Sequence, residues 1–158
     1  MNRQTKESSC GFTLLELVLV IVIIGTIAAI AIPRLSRGAA GASDATLRGS
    51  LAVLRKAIDF YATEHGGALP TEADIENQLL LYSDIDSNTQ ATRDATFIYG
   101  PYLAKLPALP VGERKGNTHI AKKNGDGVGW IYKQSTGTIR ANTKNGEKDD
   151  AGVKYKDY

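Results

Sequence analysis

The 158-residue chain has little cysteine and little histidine: one Cys10, and two histidines, His65 and His119. A single cysteine excludes an intrachain disulfide. An extracytoplasmic domain would have to be held by packing, with or without a metal ion. Neither histidine stands in a Cys/His or His/Glu metal spacing. The G-x-S-x-G and phosphate-loop patterns are missing too, so catalysis has no constellation to carry it. Charge of one sign is also lacking. There are 19 basic and 17 acidic residues, a net charge of +2, and no basic surface that asks for nucleic acid.

What the chain does have is one long apolar run. Between residues 14 and 32 only Glu16, Gly25 and Thr26 interrupt it. As a helix those 19 residues rise roughly 28 Å, close to the hydrocarbon thickness of a bilayer. The run is too long and too uniform for one face of an amphipathic helix. A cleavable secretory signal would put its small-residue site after the run, where Ala28-Ala29-Ile30-Ala31 offers a match. A lipoprotein reading of Cys10 fails, because no apolar run precedes it. About 125 residues remain beyond the run and its leader, enough for one small domain with its own core.

Three features bracket the run. A polar leader, residues 1–11, carries Arg3, Lys6 and Glu7. Then comes Gly11-Phe12-Thr13-Leu14-Leu15-Glu16-Leu17, and Pro33 closes the far side. This arrangement resembles the class III signal of type IV pilins and of the pseudopilins of type II secretion. The resemblance implies that a dedicated prepilin peptidase cuts between Gly11 and Phe12 and methylates the new amine of Phe12. It implies an N-terminus in the cytoplasm, a single pass through the bacterial inner membrane, and a C-terminal head in the periplasm. The flanking charges, Arg3 and Lys6 on one side, Arg34 and Arg37 on the other, do not themselves set that orientation.

A carboxylate inside hydrocarbon costs on the order of a few kcal/mol unless it is paired. The resemblance implies a partner for Glu16, the terminal amine of Phe12 on a neighbouring subunit. Glu16 then acts as a register key, since a wrong stagger leaves it unpaired. The plainer alternative is a glutamate near a helix end that reaches the headgroups. Pro33 lacks an amide proton, so it should kink or loosen the helix rather than end it. Residues 38–42, with Gly38 and Gly41, read as a flexible, closely packable segment, or as an ordinary juxtamembrane linker.

From Ala45 the pattern predicts an amphipathic helix. Leu47, Leu51, Leu54, Ile58 and Tyr61 make one apolar stripe, which Val53, Ala57 and Phe60 widen. His65-Gly66-Gly67 should end it, with glycine as left-handed cap and His65 as a helix-end cation. A second helix is expected over 71–82, started by a capping box of Thr71 and Asp74. Residues 83–95 read as a solvated polar loop.

The segment 97–107 holds Tyr102-Leu103-Ala104-Lys105-Leu106-Pro107 and should pack over the core. It is similar to a tyrosine-leucine-x-x-leucine-proline segment of major pseudopilins. Short strands are expected around Ile120, Trp130-Ile131-Tyr132 and Ile139, linked by turns at 124–127 and 135–137. The expected fold class is α+β, a pilin-like fold. A long N-terminal helix, transmembrane in its first half, packs on a small antiparallel sheet. The domain plan is leader 1–11, transmembrane and assembly helix 12–33, amphipathic half 34–66, and head 67–158 with a polar tail.

The tail raises the question of an ion. Major pseudopilins bind calcium in a C-terminal loop similar to Asp-Gly-x-x-Gly-x-x-Asp-Asp. Residues 142–150 keep that spacing, so the resemblance implies Ca²⁺ on Asn142, Asp149 and Asp150; the alternative is a solvated polar tail. No cofactor is otherwise required. The implied partners are copies of the chain, other pseudopilins, the prepilin peptidase, an inner-membrane assembly platform and lipid. The expected function is a structural subunit of a type II secretion pseudopilus that stacks helices to support export across the outer membrane. Two alternatives stand beside it: a type IV pilin of a surface filament, and a single-pass protein with a soluble binding head. The missing cysteine pair weighs toward the pseudopilin, because many type IV pilins close a disulfide loop.

Overall fold

The computed structural model describes residues 12–158. The chain divides into two compact units, Met1–Ala39 and Ala40–Tyr158. The first unit, over its described residues, is the N-terminal part of helix α1, which spans Leu14–Glu64. Helix α1 continues through Pro33, Gly38 and Gly41. Proline is therefore tolerated inside the helix, at the loss of one backbone hydrogen bond.

In the second unit the stripe expected on α1 forms the spine of the core. Leu47, Leu51, Leu54, Ile58 and Tyr61 are each at most 1% exposed. Burial of each such side chain stabilises the head by about 1.5–3 kcal/mol before entropy is counted. Val53 and Phe60 do not widen the stripe. Both are 51% exposed, because they stand about a third of a turn or more off its centre. The helix ends at a pair of glycines in the left-handed region. The Gly67 amide closes back on the Ala62 carbonyl at 2.7 Å.

Helix α2 is shorter than expected, Ile75–Leu80. No capping box forms between Thr71 and Asp74. The Thr71 amide donates to Gln78 Oε1 at 2.8 Å, and Asp74 Oδ1 accepts from Asn77 Nδ2 at 2.6 Å. The buried Gln78 thus reaches back to hold the turn, and the helix starts one residue after Asp74. The supposed solvated loop contains a small antiparallel pair, β1 (Tyr82–Ser83) with β2 (Thr89–Gln90). Asp84 closes that hairpin by accepting both the Asn88 amide and its side-chain Nδ2 at 2.8 Å.

The main sheet has three strands in the order β3 (His119–Ala121), β4 (Val128–Lys133), β5 (Thr138–Ala141). The fold class is α+β, but the sheet is mixed. β4 and β5 are antiparallel, with Tyr132 opposite Ile139. β3 joins β4 in parallel, with Ile120 opposite Trp130. The glycine-rich link after Ala121 does not make a two-residue hairpin. It carries the chain back until the Gly127 carbonyl accepts the His119 amide at 3.0 Å, and β4 then leaves in the same direction as β3.

Trp130, Tyr132, Ile139 and Ala141 face the core and pack in one cluster with the α1 stripe. Two of them also fasten loops. Trp130 Nε1 donates to the Pro107 carbonyl at 2.8 Å, and the Tyr132 hydroxyl donates to the Pro70 carbonyl at 3.0 Å. Burial raises the Tyr132 phenol to about 12, so this donor keeps its proton across the physiological range. Leu103 is buried and Leu106 partly so, which puts the 97–107 segment against the core as its composition suggests. Gly129 is required by space. A Cβ there would lie 2.2 Å from the Asn117 carbonyl oxygen.

Candidate assembly interface

Of the residues singled out for processing, Gly11 lies outside the described residues, and Phe12 is exposed. The apolar segment of α1 long enough to cross a membrane is Leu14–Ala31, and none of it is buried within the protein. Its length, about 27 Å of helix, matches a bilayer core. The one hydroxyl in its middle is satisfied locally: Thr26 Oγ1 donates to the Ile23 carbonyl at 2.8 Å. The apolar surface is therefore large and, among the described residues, has no partner from its own chain, as expected of a helix that faces lipid and other helices.

Glu16 is placed by a capping box. Thr13 precedes the first helical residue, and its Oγ1 accepts the Glu16 amide at 3.2 Å. In return Glu16 Oε2 accepts the Thr13 amide and the Thr13 hydroxyl, both at 2.9 Å. This reciprocal pair satisfies donors that the helix start leaves orphaned. The signal was available in the sequence as Thr13-Leu14-Leu15-Glu16, which fits the Ser/Thr-x-x-Glu pattern. The carboxylate is thus held at the N-terminus of its own helix, where the helix dipole also favours a negative charge.

His65, expected as a helix-end cation, is buried instead. Its ring stacks on Tyr61 at 3.9 Å between centroids. Its nitrogens meet the Tyr61 carbonyl at 2.8 Å and the Asp84 carbonyl at 2.9 Å. It fastens the end of α1 to the β1–β2 hairpin. His119 lies against Glu76, 3.2 Å from Oε1.

The C-terminal residues are mostly exposed, as a polar tail would be, but two of them are buried anchors of a folded loop. Asn142 and Asp149 are both buried, and Asp150 is exposed. Asn142 Nδ2 donates to the Val128 carbonyl at 2.7 Å and to Asn124 Oδ1 at 2.9 Å. Asp149 Oδ1 accepts the Val153 amide at 2.8 Å, while Oδ2 accepts the Tyr158 hydroxyl in a short hydrogen bond. The two residues share no partner. Among the described residues no group of three or more His, Cys, Asp or Glu is placed to hold a metal. Calcium needs six to eight oxygens at about 2.3–2.6 Å. A donor set whose best carboxylate is already committed on both oxygens does not fit it.

Comparison with known proteins bears on the N-terminus first. Residues 8–32 match the family model of the prokaryotic N-terminal methylation motif. Beyond the motif, the chain is similar to the type II secretion system core protein G of Aeromonas hydrophila. The two are 28% identical over 107 residues, which cover 68% of this chain and 71% of that one. It is also similar to the core protein G of Escherichia coli (strain K12). There the identity is 30% over 102 residues, 65% of this chain and 66% of the relative. The chain thus spans about two thirds of the length of these relatives. No solved structure is significantly similar to it.

Proposed function

We propose, since the chain belongs to the type IV pilin-like family, that it is a structural subunit of a type II secretion pseudopilus. One observation carries this reading. The similarity to the two core proteins G runs over more than a hundred residues, whereas the methylation motif ends at residue 32. The likeness therefore extends well into the head, beyond the part of the chain that the methylation motif covers.

In this reading the prepilin peptidase removes the leader after Gly11 and methylates Phe12. The mature subunit rests in the inner membrane as a single pass, with its head in the periplasm. Its partners are copies of itself, other pseudopilins, the inner-membrane assembly platform and the surrounding lipid. It performs no catalysis.

Glu16 explains how such a subunit can wait and then assemble. A carboxylate left unpaired inside hydrocarbon costs on the order of a few kcal/mol, and less near the end of the span, where Glu16 stands. The Thr13 hydroxyl and amide compensate part of that cost within one chain. Cleavage after Gly11 turns the amide of Phe12 into an ammonium. On a neighbouring subunit at the correct stagger, that ammonium offers Glu16 a charge-assisted partner which Thr13 cannot match. Wrong staggers offer none, so one register is favoured.

Mass spectrometry of the membrane-extracted protein tests the processing. An N-methylated Phe12 terminus is expected, and a chain that keeps Met1 alone would remove the family mechanism. Deleting the gene tests the system. Exported proteins should accumulate in the periplasm. Normal export together with the loss of a surface filament would replace the secretion reading.

A further inference from the structure

We propose that the C-terminal loop is pinned by a protein cation, the guanidinium of Arg48 lying against its outer side, and so forms a metal-independent latch on α1. The position concerned is the one where the resemblance puts calcium. The inference concerns the head alone and holds whichever filament the subunit joins.

The buried Asp149 carboxylate needs a counter-charge and donors. Both come from protein. Arg48, on α1, brings one guanidinium nitrogen to 3.7 Å from Asp149 Oδ2. The same nitrogen donates to the Tyr158 hydroxyl at 2.9 Å, and that hydroxyl in turn donates to Asp149. The guanidinium also lies over the Tyr158 ring, 4.9 Å from its centroid. About two turns further along α1, Arg55 donates to the Tyr158 backbone oxygen at 2.5 Å. Two arginines of one helix thus grip one tyrosine at two points.

The loop between is closed by its own backbone. The Asp149 amide donates to the Val153 carbonyl at 2.9 Å, and the Tyr155 amide to the Glu147 carbonyl at 3.3 Å. The Glu147 carboxylate accepts the amides of Lys144 and Glu113. Tyr155 and Tyr158 then pack against the hydrophobic core, with their rings stacked 6.1 Å apart. Burial, together with the Asp44 carboxylate, raises the Tyr155 phenol to about 12. The two carboxylates turned into this loop, Glu147 and Asp149, are already used to fold it, and Asp150 is exposed. A calcium ion at Asp149 would have to displace the Tyr158 and Val153 donors and would face Arg48 at close range.

The full-length protein in detergent micelles tests the proposal by thermal unfolding and limited proteolysis. Calcium chloride at about 5 mM, roughly fifty times a dissociation constant of about 10⁻⁴ M, would raise the melting temperature clearly if a site were present. The expected result is the same melting temperature in calcium and in chelator. Arg48→Gln should lower it and expose residues 142–158 to protease, without creating a response to calcium. Tyr158→Phe, a milder change that keeps the ring, should weaken the latch in the same direction and less. A calcium-dependent rise in the wild type that Asp149→Asn abolishes would overturn the proposal. So would an Arg48→Gln protein whose melting temperature and cleavage pattern equal those of the wild type.

Discussion

The two ends of α1 both carry leucine and isoleucine, and those side chains meet opposite fates. Leu14–Ala31 exposes every leucine, isoleucine and valine it has. Between Leu47 and Tyr61 the apolar residues of one stripe are sealed against β4 and β5. The first stretch is apolar all round and the second on one side only. A helix that is apolar all round cannot satisfy its whole surface with one small sheet; it needs a solvent of its own kind. A one-sided helix needs only a core. The difference separates two kinds of stability within one element. The back half is stabilised by its own chain. The front half is stabilised by lipid and, in our reading, by other subunits.

The largest effect that would break this comparison is at Glu16. Glu16→Ala should abolish filament assembly while leaving membrane insertion and the head's melting temperature as they were. Filaments of normal length in that mutant would remove the register role. Leu54→Ala and Leu19→Ala sharpen the contrast with one and the same truncation. Leu54 is fully buried, so its loss should cost the head about 2–5 kcal/mol in denaturant unfolding; Leu19 is exposed and should cost it nothing. Equal losses at the two positions would mean that the front half of α1 is part of the head's cooperative fold.

A smaller effect should follow pH. The Tyr158 hydroxyl, more than any other group, holds the Asp149 carboxyl below its usual range, and the same contact raises the Tyr158 phenol. A lowered acid contributes stability above its unfolded value of about 3.9 and loses it as the pH falls through the folded value. A raised phenol contributes below its unfolded value of about 10 and loses it as the pH rises through the folded value. Protease resistance of residues 142–158 should therefore be highest between about pH 4 and 10 and fall on both sides. The smallest effect belongs to Val53→Ser and Phe60→Ser. Both side chains are half exposed, so head stability should move by less than about 0.5 kcal/mol by thermal unfolding.

Much of the fold was legible because periodicity is a local signal. The step from Leu47 to Tyr61 names the buried face of α1, and Gly66-Gly67 marks its end. The alternation in Trp130-Ile131-Tyr132 and Thr138-Ile139-Arg140-Ala141 marks the two long strands. What could not be read involves partners distant in sequence. The direction of β3 depends on where a loop returns the chain. The burial of His65 depends on Asp84 and Ser83 arriving over its ring, 18 residues and more away. Glu16 differs, since its partner Thr13 is three residues off and its pattern was open to view.

The sequence by itself determined that this protein has a membrane-length helix with one acid near its start, continued by a one-sided helix and a small α+β head. Hydrophobic length and period are properties of neighbouring residues, and they need no fold to act. Only the tertiary structure decided what the polar C-terminal residues do. Asp149, Tyr158 and Arg48 lie up to 110 positions apart, and each alone reads as a solvated surface group. Folding brings them within hydrogen-bond reach on the flank of α1. There burial makes a charge costly and a partner of opposite charge necessary.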